Sequence, residues 1–264
     1  MTERTSDERG TTIKSVETAL DVIEVLEKRE QAGVTELADA LGRSKSTIYH
    51  YVNTLEQRNY LEKEGGKYRL SLRFLALGGF VREREALYRH GKDDVDRLAD
   101  TTSELVRLIV EDDHQGLTVY QAAGDNVTDP HTHVGTTDSL YCTAAGKAFL
   151  AELPEQQREA YFEETALEPR TEHTITDLDE LRAEIADVEE TGVALDDQEC
   201  YEGIRCVATP VCCNHELLGA ISVSGPVDRI SDDRFRTKLP NELWNVAGVV
   251  EINTTYSRWE SSID

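Results

Sequence analysis

The 264 residues carry 52 Asp plus Glu against 28 Lys plus Arg, a net charge of -24, and 39% are hydrophobic, enough for real cores in one large or two smaller domains. No apolar run approaches the ~20 residues of a membrane-spanning helix, and the first ten residues hold no apolar segment that would make a secretory signal. Five Cys without a CxxC pair argue against a disulfide framework, so a soluble, cytoplasmic chain with no membrane partner is expected.

Residues 1–11 read as a disordered tail. Val16, Ala19, Leu20, Ile23 and Leu26 fall at helical spacing, which predicts a first helix over 15–28 with Ser15 as its N-cap. Gln31-Ala32-Gly33 ends it. Thr35 is expected to cap a short second helix that turns Leu37, Ala38 and Leu41 inward. Gly42 then supplies the flexible residue of a tight helix-helix turn. Ser44 caps a third helix with Ile48, Val52 and Leu55 buried.

The third helix stands out by charge. Residues 1–70 hold 11 basic and 13 acidic residues, a net of -2, whereas the other 194 hold 17 against 39. Residues 41–70 carry six cations and three acids, and 42–55 contain no acid at all. A stretch that avoids carboxylates in so acidic a chain is a candidate for facing a polyanion. The acidity elsewhere, with 20 Arg but only 8 Lys, reads as a halophilic surface.

Two short alternating runs then flank Gly65-Gly66 and predict a β-hairpin with a primed turn. Helix, helix, Gly turn, helix and hairpin make a winged helix-turn-helix over 12–71. Its third helix would enter a DNA major groove. Arg43, Lys45 and Lys67 suit phosphates. Ser46, Thr47, His50 and Tyr51, following Ser44 at the helix start, are placed to meet base edges.

A linking helix is expected over 72–90, with Leu72, Leu75, Ala76, Gly79, Phe80 and Leu87 on its apolar side, and helix continues over 93–101. Residues 91–264 then read as a second domain of the α+β class, an antiparallel sheet with helices. Strands are predicted over 105–110, 117–122, 203–211 and 218–224. Helices are predicted over 144–152, 154–164 and 176–191, the last capped by Thr176, with a final helical region from 231 to about 256 restarted near Pro240.

Several groups in this domain could carry chemistry. The run Ser139-Leu140-Tyr141-Cys142-Thr143-Ala144-Ala145-Gly146-Lys147 leads small residues into a helix, which serves either as an anion cradle of backbone N–H groups or as close packing on a sheet. Ser222 and Ser224, two apart on a strand, share one face. Asp196-Asp197-Gln198-Glu199 reads as a solvated acidic loop. The cysteines, with His131 and His133, lack the spacing of a zinc site, so no metal or cofactor is expected. A Cys nucleophile at Cys206 or Cys142 has no local signature.

In order and spacing, three stretches resemble the IclR family of transcription regulators: Lys14-Ser15-Val16-Glu17-Thr18-Ala19-Leu20 with the helix-turn-helix, Leu140 to Ala151, and Gly192 to Glu199 followed by 203–211 and 220–226. The resemblance spans about Ile13 to Tyr256. It implies a GAF-like effector domain binding a small metabolite, and a homodimer or homotetramer on a palindromic double-stranded DNA operator. It also implies a pocket formed by the backbone of Ala144 and Ala145, by Asp196 and Cys206, and by the hydroxyls of Ser222 and Ser224. With those groups a small polar organic acid or sugar-derived effector is expected, and no enzymatic activity. The alternatives are an enzyme using one of the cysteines and a less specific chromatin-binding protein.

Overall fold

The computed structural model describes residues 12–261, so the tail expected over 1–11 lies outside the described residues. The chain divides into two compact units, with the division after Val81.

In the first unit, α1 (Lys14–Arg29), α2 (Val34–Leu41) and α3 (Lys45–Gln57) surround Val22, Leu26, Leu37, Ile48 and Val52. Gly42 ends α2 in the left-handed region at φ +61°, where a side chain would be strained. The hairpin β2 (Leu61–Glu64) and β3 (Lys67–Leu70) turns at Gly65 and Gly66, both at positive φ. A two-residue strand, β1 (Ala32–Gly33), pairs antiparallel with β3 on its other side. The segment expected only to break a helix thus becomes the third strand of the wing sheet.

Three local expectations are corrected here. Ile13, not Ser15, precedes α1, and it makes no side-chain cap. The buried stripe of α1 is Thr18, Val22 and Leu26, leaving Val16 and Leu20 exposed. The first turn of α2 is held by Glu36, whose carboxylate accepts the Gly33 N–H at 2.7 Å, and Thr35 does not cap it.

The linking helix expected as one piece over 72–90 is two. α4 (Arg73–Arg82) runs straight through Gly78-Gly79, and the chain breaks at 83–85 before α5 (Ala86–Thr102). Leu87 is therefore a core residue of the second unit.

That unit is a six-stranded antiparallel sheet in the order β6-β5-β4-β9-β8-β7. Its strands are β4 (Leu105–Asp112), β5 (Gln115–Ala123), β6 (Thr137–Ser139), β7 (Ala194–Asp197), β8 (Ile204–Cys213) and β9 (Glu216–Pro226). The long four were legible as apolar runs. β6 and β7, of three and four residues, are edge strands without such a run.

One face of the sheet packs on α5 and on α9 (Leu239–Ser261) through Val106, Leu108, Val207, Ile221 and Val223. The other carries α6 (Ala144–Glu152), α7 (Glu155–Glu164) and α8 (Leu178–Thr191) over Cys206, Ala208 and Ala220. Asp177, not Thr176, caps α8, accepting the N–H groups of Asp179 and Glu180. Leu181, Ile185 and Val188 then form its buried stripe, each such side chain contributing about 1.5–3 kcal/mol by leaving water. Burial on both faces is what leaves polar side chains of the central strands dependent on internal partners.

Candidate functional site

In the first unit, Ser44 Oγ accepts the Thr47 N–H at 3.1 Å and so caps α3. The same oxygen lies 2.8 Å from Thr47 Oγ1 and 3.0 Å from Ser46 Oγ. Three hydroxyls therefore gather at a helix start whose first turn holds no acid. That end carries the positive pole of the helix dipole. Arg43, Lys45, Ser46 and His50 are exposed beside it, as is Lys67 on the wing. Thr47 is half-buried. Tyr51 packs against the core of the unit, so its ring is held largely for structure. The exposed aromatic of α3 is Tyr49, whose ring meets His50 edge-on at 6.3 Å. Its place three residues after Ser46 was the available signal.

In the second unit, side chains alternate across the sheet. Ser222 and Ser224 point away from the Ile221 and Val223 core and are both buried. The register sets Asp196 opposite Cys206 and Cys206 opposite Ser224. It also sets Ser222 opposite Arg107. One face of four adjacent strands thus carries Asp196, Cys206, Ser222, Ser224 and Arg107. Arg107 was missed in the sequence, although it is the one charge inside the run Leu105–Val110. A cation within a buried strand was the signal.

The polar atoms here are poorly matched to one another. Ser222 Oγ, Ser224 Oγ, Arg107 Nε and Arg107 Nη1 are buried without a hydrogen-bond partner among the described residues. Arg107 Nη2 meets only the Cys206 thiol, at 3.8 Å. Such clusters are rare in folded proteins, because each buried group without a partner costs about 1–3 kcal/mol.

Above them lies the start of α6. Thr143 Oγ1 accepts the Gly146 N–H at 3.1 Å, and the Thr143 carbonyl accepts that of Lys147. The N–H groups of Ala144 and Ala145 precede any intrahelical carbonyl. Gly146 also packs so closely on Leu140 that a Cβ there would strike its backbone. The small-residue run therefore serves close packing at Gly146 and leaves free donors at Ala144 and Ala145.

The segment 196–199 is not a solvated loop. Asp196 is buried and accepts the Glu199 N–H at 2.7 Å. Asp197 holds Arg205 through two hydrogen bonds of 2.9 and 3.0 Å. Glu199 accepts from the fully buried Lys147 at 2.6 Å, with Glu184 at 3.4 Å from the same nitrogen. Burial opposes the Lys147 charge, but Glu199, Glu184 and Asp196 outweigh it and raise its pKa. Burial, together with the neighbouring Glu199, pushes Asp196 up to about 7 against the pull of Lys147.

Burial likewise pushes the Cys206 thiol up to about 11, the reverse of what a nucleophile needs. The cysteines do not converge on a metal site. Among the described residues the only grouping of metal-type donors is the exposed Glu172, His173 and Glu202.

Comparison with known proteins decides the family. Residues 15–65 match the model of the IclR helix-turn-helix domain, and residues 82–250 match that of the bacterial transcriptional regulator IclR C-terminal domain. The chain belongs to the IclR family of transcription regulators. It joins a DNA-binding helix-turn-helix domain to a C-terminal effector domain. It is 31% identical to the HTH-type transcriptional regulator ArcR of Halobacterium salinarum, over 91% of this chain and 93% of that one. It is 28% identical to the regulator KdgR of Escherichia coli, over 87% and 89%. Among solved structures, a transcriptional regulator from Rhodococcus sp. RHA1 superposes with a TM-score of 0.84 at 25% identity, covering 93% of this chain and all of that one. An IclR homolog from Microbacterium hydrocarbonoxydans, complexed with 4-hydroxybenzoate, shares the fold with a TM-score of 0.80 at 18% identity, over 91% and 98%. The relatives are transcription regulators, not enzymes. No helix among the described residues is long and apolar enough to cross a membrane.

The Asp196 carboxyl gives the second unit a pH signature. Well below its ordinary value of 3.8, it is protonated whether the chain is folded or not. Between that value and about 7 the unfolded chain ionises it while the folded chain keeps the proton, so stability is lost as pH rises. Asp196→Asn lacks this slope. In urea denaturation from about pH 5 to about pH 8, the wild type should lose stability relative to the variant at up to about 1.4 kcal/mol per pH unit. Parallel curves would mean that Asp196 ionises freely in the fold.

Proposed function

We propose that this regulator reads a palindromic operator as a homodimer or homotetramer, and that a small polar organic acid or sugar-derived effector sets its affinity for DNA. The effector would lie between the Ala144 and Ala145 N–H groups and the side chains of Asp196, Cys206, Ser222 and Ser224. The observation that carries this reading is the pair of buried, unpaired hydroxyls at Ser222 and Ser224 on the face that also carries Asp196 and Cys206. A ligand's polar atoms would complete them. The 4-hydroxybenzoate held by the Microbacterium homolog, a small hydroxy acid, supports the effector class. Exposed apolar residues support assembly: Ile13, Val16 and Leu20 on or just before α1, and Leu72, Leu75 and Phe80 on or just before α4. They would be covered by a second copy of the chain, and two reading helices on half-sites gain effective concentration.

The pocket is tested by the double variant Ser222→Ala with Ser224→Ala. Titration calorimetry with small hydroxy acids, 4-hydroxybenzoate among them, should show affinity falling by roughly 1–3 kcal/mol, since ligand atoms would lie buried and unpaired. DNA affinity without effector should stay unchanged. An unaltered effector affinity would move the site elsewhere.

For the DNA-facing unit, Arg43 and Lys45 with Lys67 would contact phosphates, and Ser44, Ser46, Thr47 and His50, with Tyr49 in the place expected of the core-packed Tyr51, would lie toward the bases. Selection of sites from random duplexes checks this. Arg43→Ala and Lys45→Ala should weaken binding to all sequences alike, whereas His50→Ala and Tyr49→Phe should change preference at single positions by about 1–3 kcal/mol. Equal site preferences in all four variants would show that α3 is not the reader.

The chain would work in concentrated salt, the medium its carboxylate surplus fits. At about 1 M salt the Debye length is ~3 Å, so self-repulsion among the carboxylates is screened. Circular dichroism across a KCl series should show full folding at molar KCl and loss of structure in dilute buffer. A fully folded chain in dilute buffer would remove the halophilic reading.

A further inference from the structure

Arg107 is 3% exposed, yet it is the least satisfied arginine of its surroundings. A guanidinium offers five N–H donors in a fixed planar fork. Arg205, more exposed, places two of its nitrogens on Asp197 at 2.9 and 3.0 Å and a third on Asp232. Arg229 holds the buried Glu104 at 2.6 Å. Arg107 has no hydrogen bond at Nε or Nη1. Its charge is balanced by Asp138, whose Oδ2 stands 3.6 Å from Nη1, within ion-pair range but beyond hydrogen-bond reach. The other oxygen of Asp138 accepts the Tyr201 O–H at 2.7 Å, which holds the carboxylate on β6.

Other groups around this fork are also incomplete. Ser222 lies directly across from Arg107 on β9, and Ser224 follows it, both with unpaired hydroxyls. His131, its ring 5.0 Å from Tyr201, keeps a buried Nε2 without a partner. A planar fork of unused donors flanked by two hydroxyls is complementary to a group that only accepts, with two oxygens in one plane. A carboxylate has that form.

We infer that Arg107 is the charge anchor of the effector pocket, binding the carboxylate of the incoming acid through its fork, and that Asp138 is the internal anion standing in for that carboxylate when the pocket is empty. The inference rests on the reading of this face as the effector site and adds to it the group that selects an acid over a neutral analogue. On binding, the fork turns from a long charge contact to short paired hydrogen bonds, while Asp138 stays with Tyr201.

Titration calorimetry on the full chain tests this with matched acids and amides: lactate and lactamide, gluconate and gluconamide, 4-hydroxybenzoate and 4-hydroxybenzamide. The wild type should prefer at least one acid over its amide by roughly tenfold to a hundredfold, the range of charge-assisted hydrogen bonds. Arg107→Gln should bring that ratio to within about threefold of unity by weakening the acid alone. Asp138→Asn, which keeps the shape of the side chain and a partner for Tyr201, should tighten the acid severalfold and leave the amide unchanged. This second variant decides the matter should the first not fold. A wild type that prefers no acid over its amide overturns the anchor. So does an acid preference that survives Arg107→Gln, or an Asp138→Asn variant that binds the acid no better. If Ser222→Ala with Ser224→Ala weakens acid binding while Arg107→Gln keeps the preference, the pocket stands and the anchor falls. If neither variant changes binding, both readings fall.

Discussion

The central strands of the effector domain are covered on both faces, so a polar side chain placed on them has no water to turn to. This constraint sorts the domain's buried charges into two groups. Lys147 with Glu199, and Glu104 with Arg229 and Arg234, are closed sets: each charge meets an opposite one at 2.6 to 3.0 Å. Removing one member would strand a buried charge, so these sets tie α6 and the segment after α5 to their neighbours. Arg107, Ser222 and Ser224 form an open set, with donors that no described residue completes. Set beside those closed ion pairs, the open set is where a ligand belongs.

The DNA-binding unit follows a different rule. Its core is apolar and complete around Val22, Leu37, Ile48 and Val52, and its function rests on what the surface lacks. An acid in the first turn of α3 would favour the helix dipole but repel phosphate. The first turn carries none, and the cap is supplied by neutral Ser44 instead. Within the wing, Arg69 is drawn off to Glu62 and Glu64, which leaves the cations beside the start of α3 and Lys67 to face outward.

Much of this was legible in the sequence where one local signal ruled. The hairpin followed from Gly65-Gly66, the cap of α3 from Ser44, and the four long strands from continuous apolar runs. Misreadings arose where two signals competed. Val16 and Leu20 have the right spacing for a helix but lie on its exposed side, because Thr18 can be buried by returning its hydroxyl to the Lys14 carbonyl. The linking helix, expected as one piece, runs through Gly78-Gly79 and breaks instead at 83–85, just before Leu87 joins the second core. The acidic run 196–199 looked solvated because its partner Lys147 lies some fifty residues away in sequence. Local pattern cannot reveal that pairing, and for the same reason it did not reveal Arg107 beside Asp138.

An effector can alter DNA binding only through contacts that differ between two states of the protein. The closed sets cannot supply that difference at the atoms they already pair, at 2.6 to 3.0 Å. The open set can. In the proposed pocket, Arg107 exchanges a long contact with Asp138 for paired bonds to the ligand, and Asp138 belongs to β6, a three-residue edge strand with few ladder bonds to resist displacement. At the other end, Asp196 is poised near neutrality and is tied through the Glu199 N–H to the carboxylate that holds Lys147. A ligand hydroxyl meeting Asp196 would therefore act on α6, and a carboxylate meeting Arg107 would act on β6. In this reading the edge strand and the loop that carries Tyr201 would move, against a frame of central strands packed on both faces.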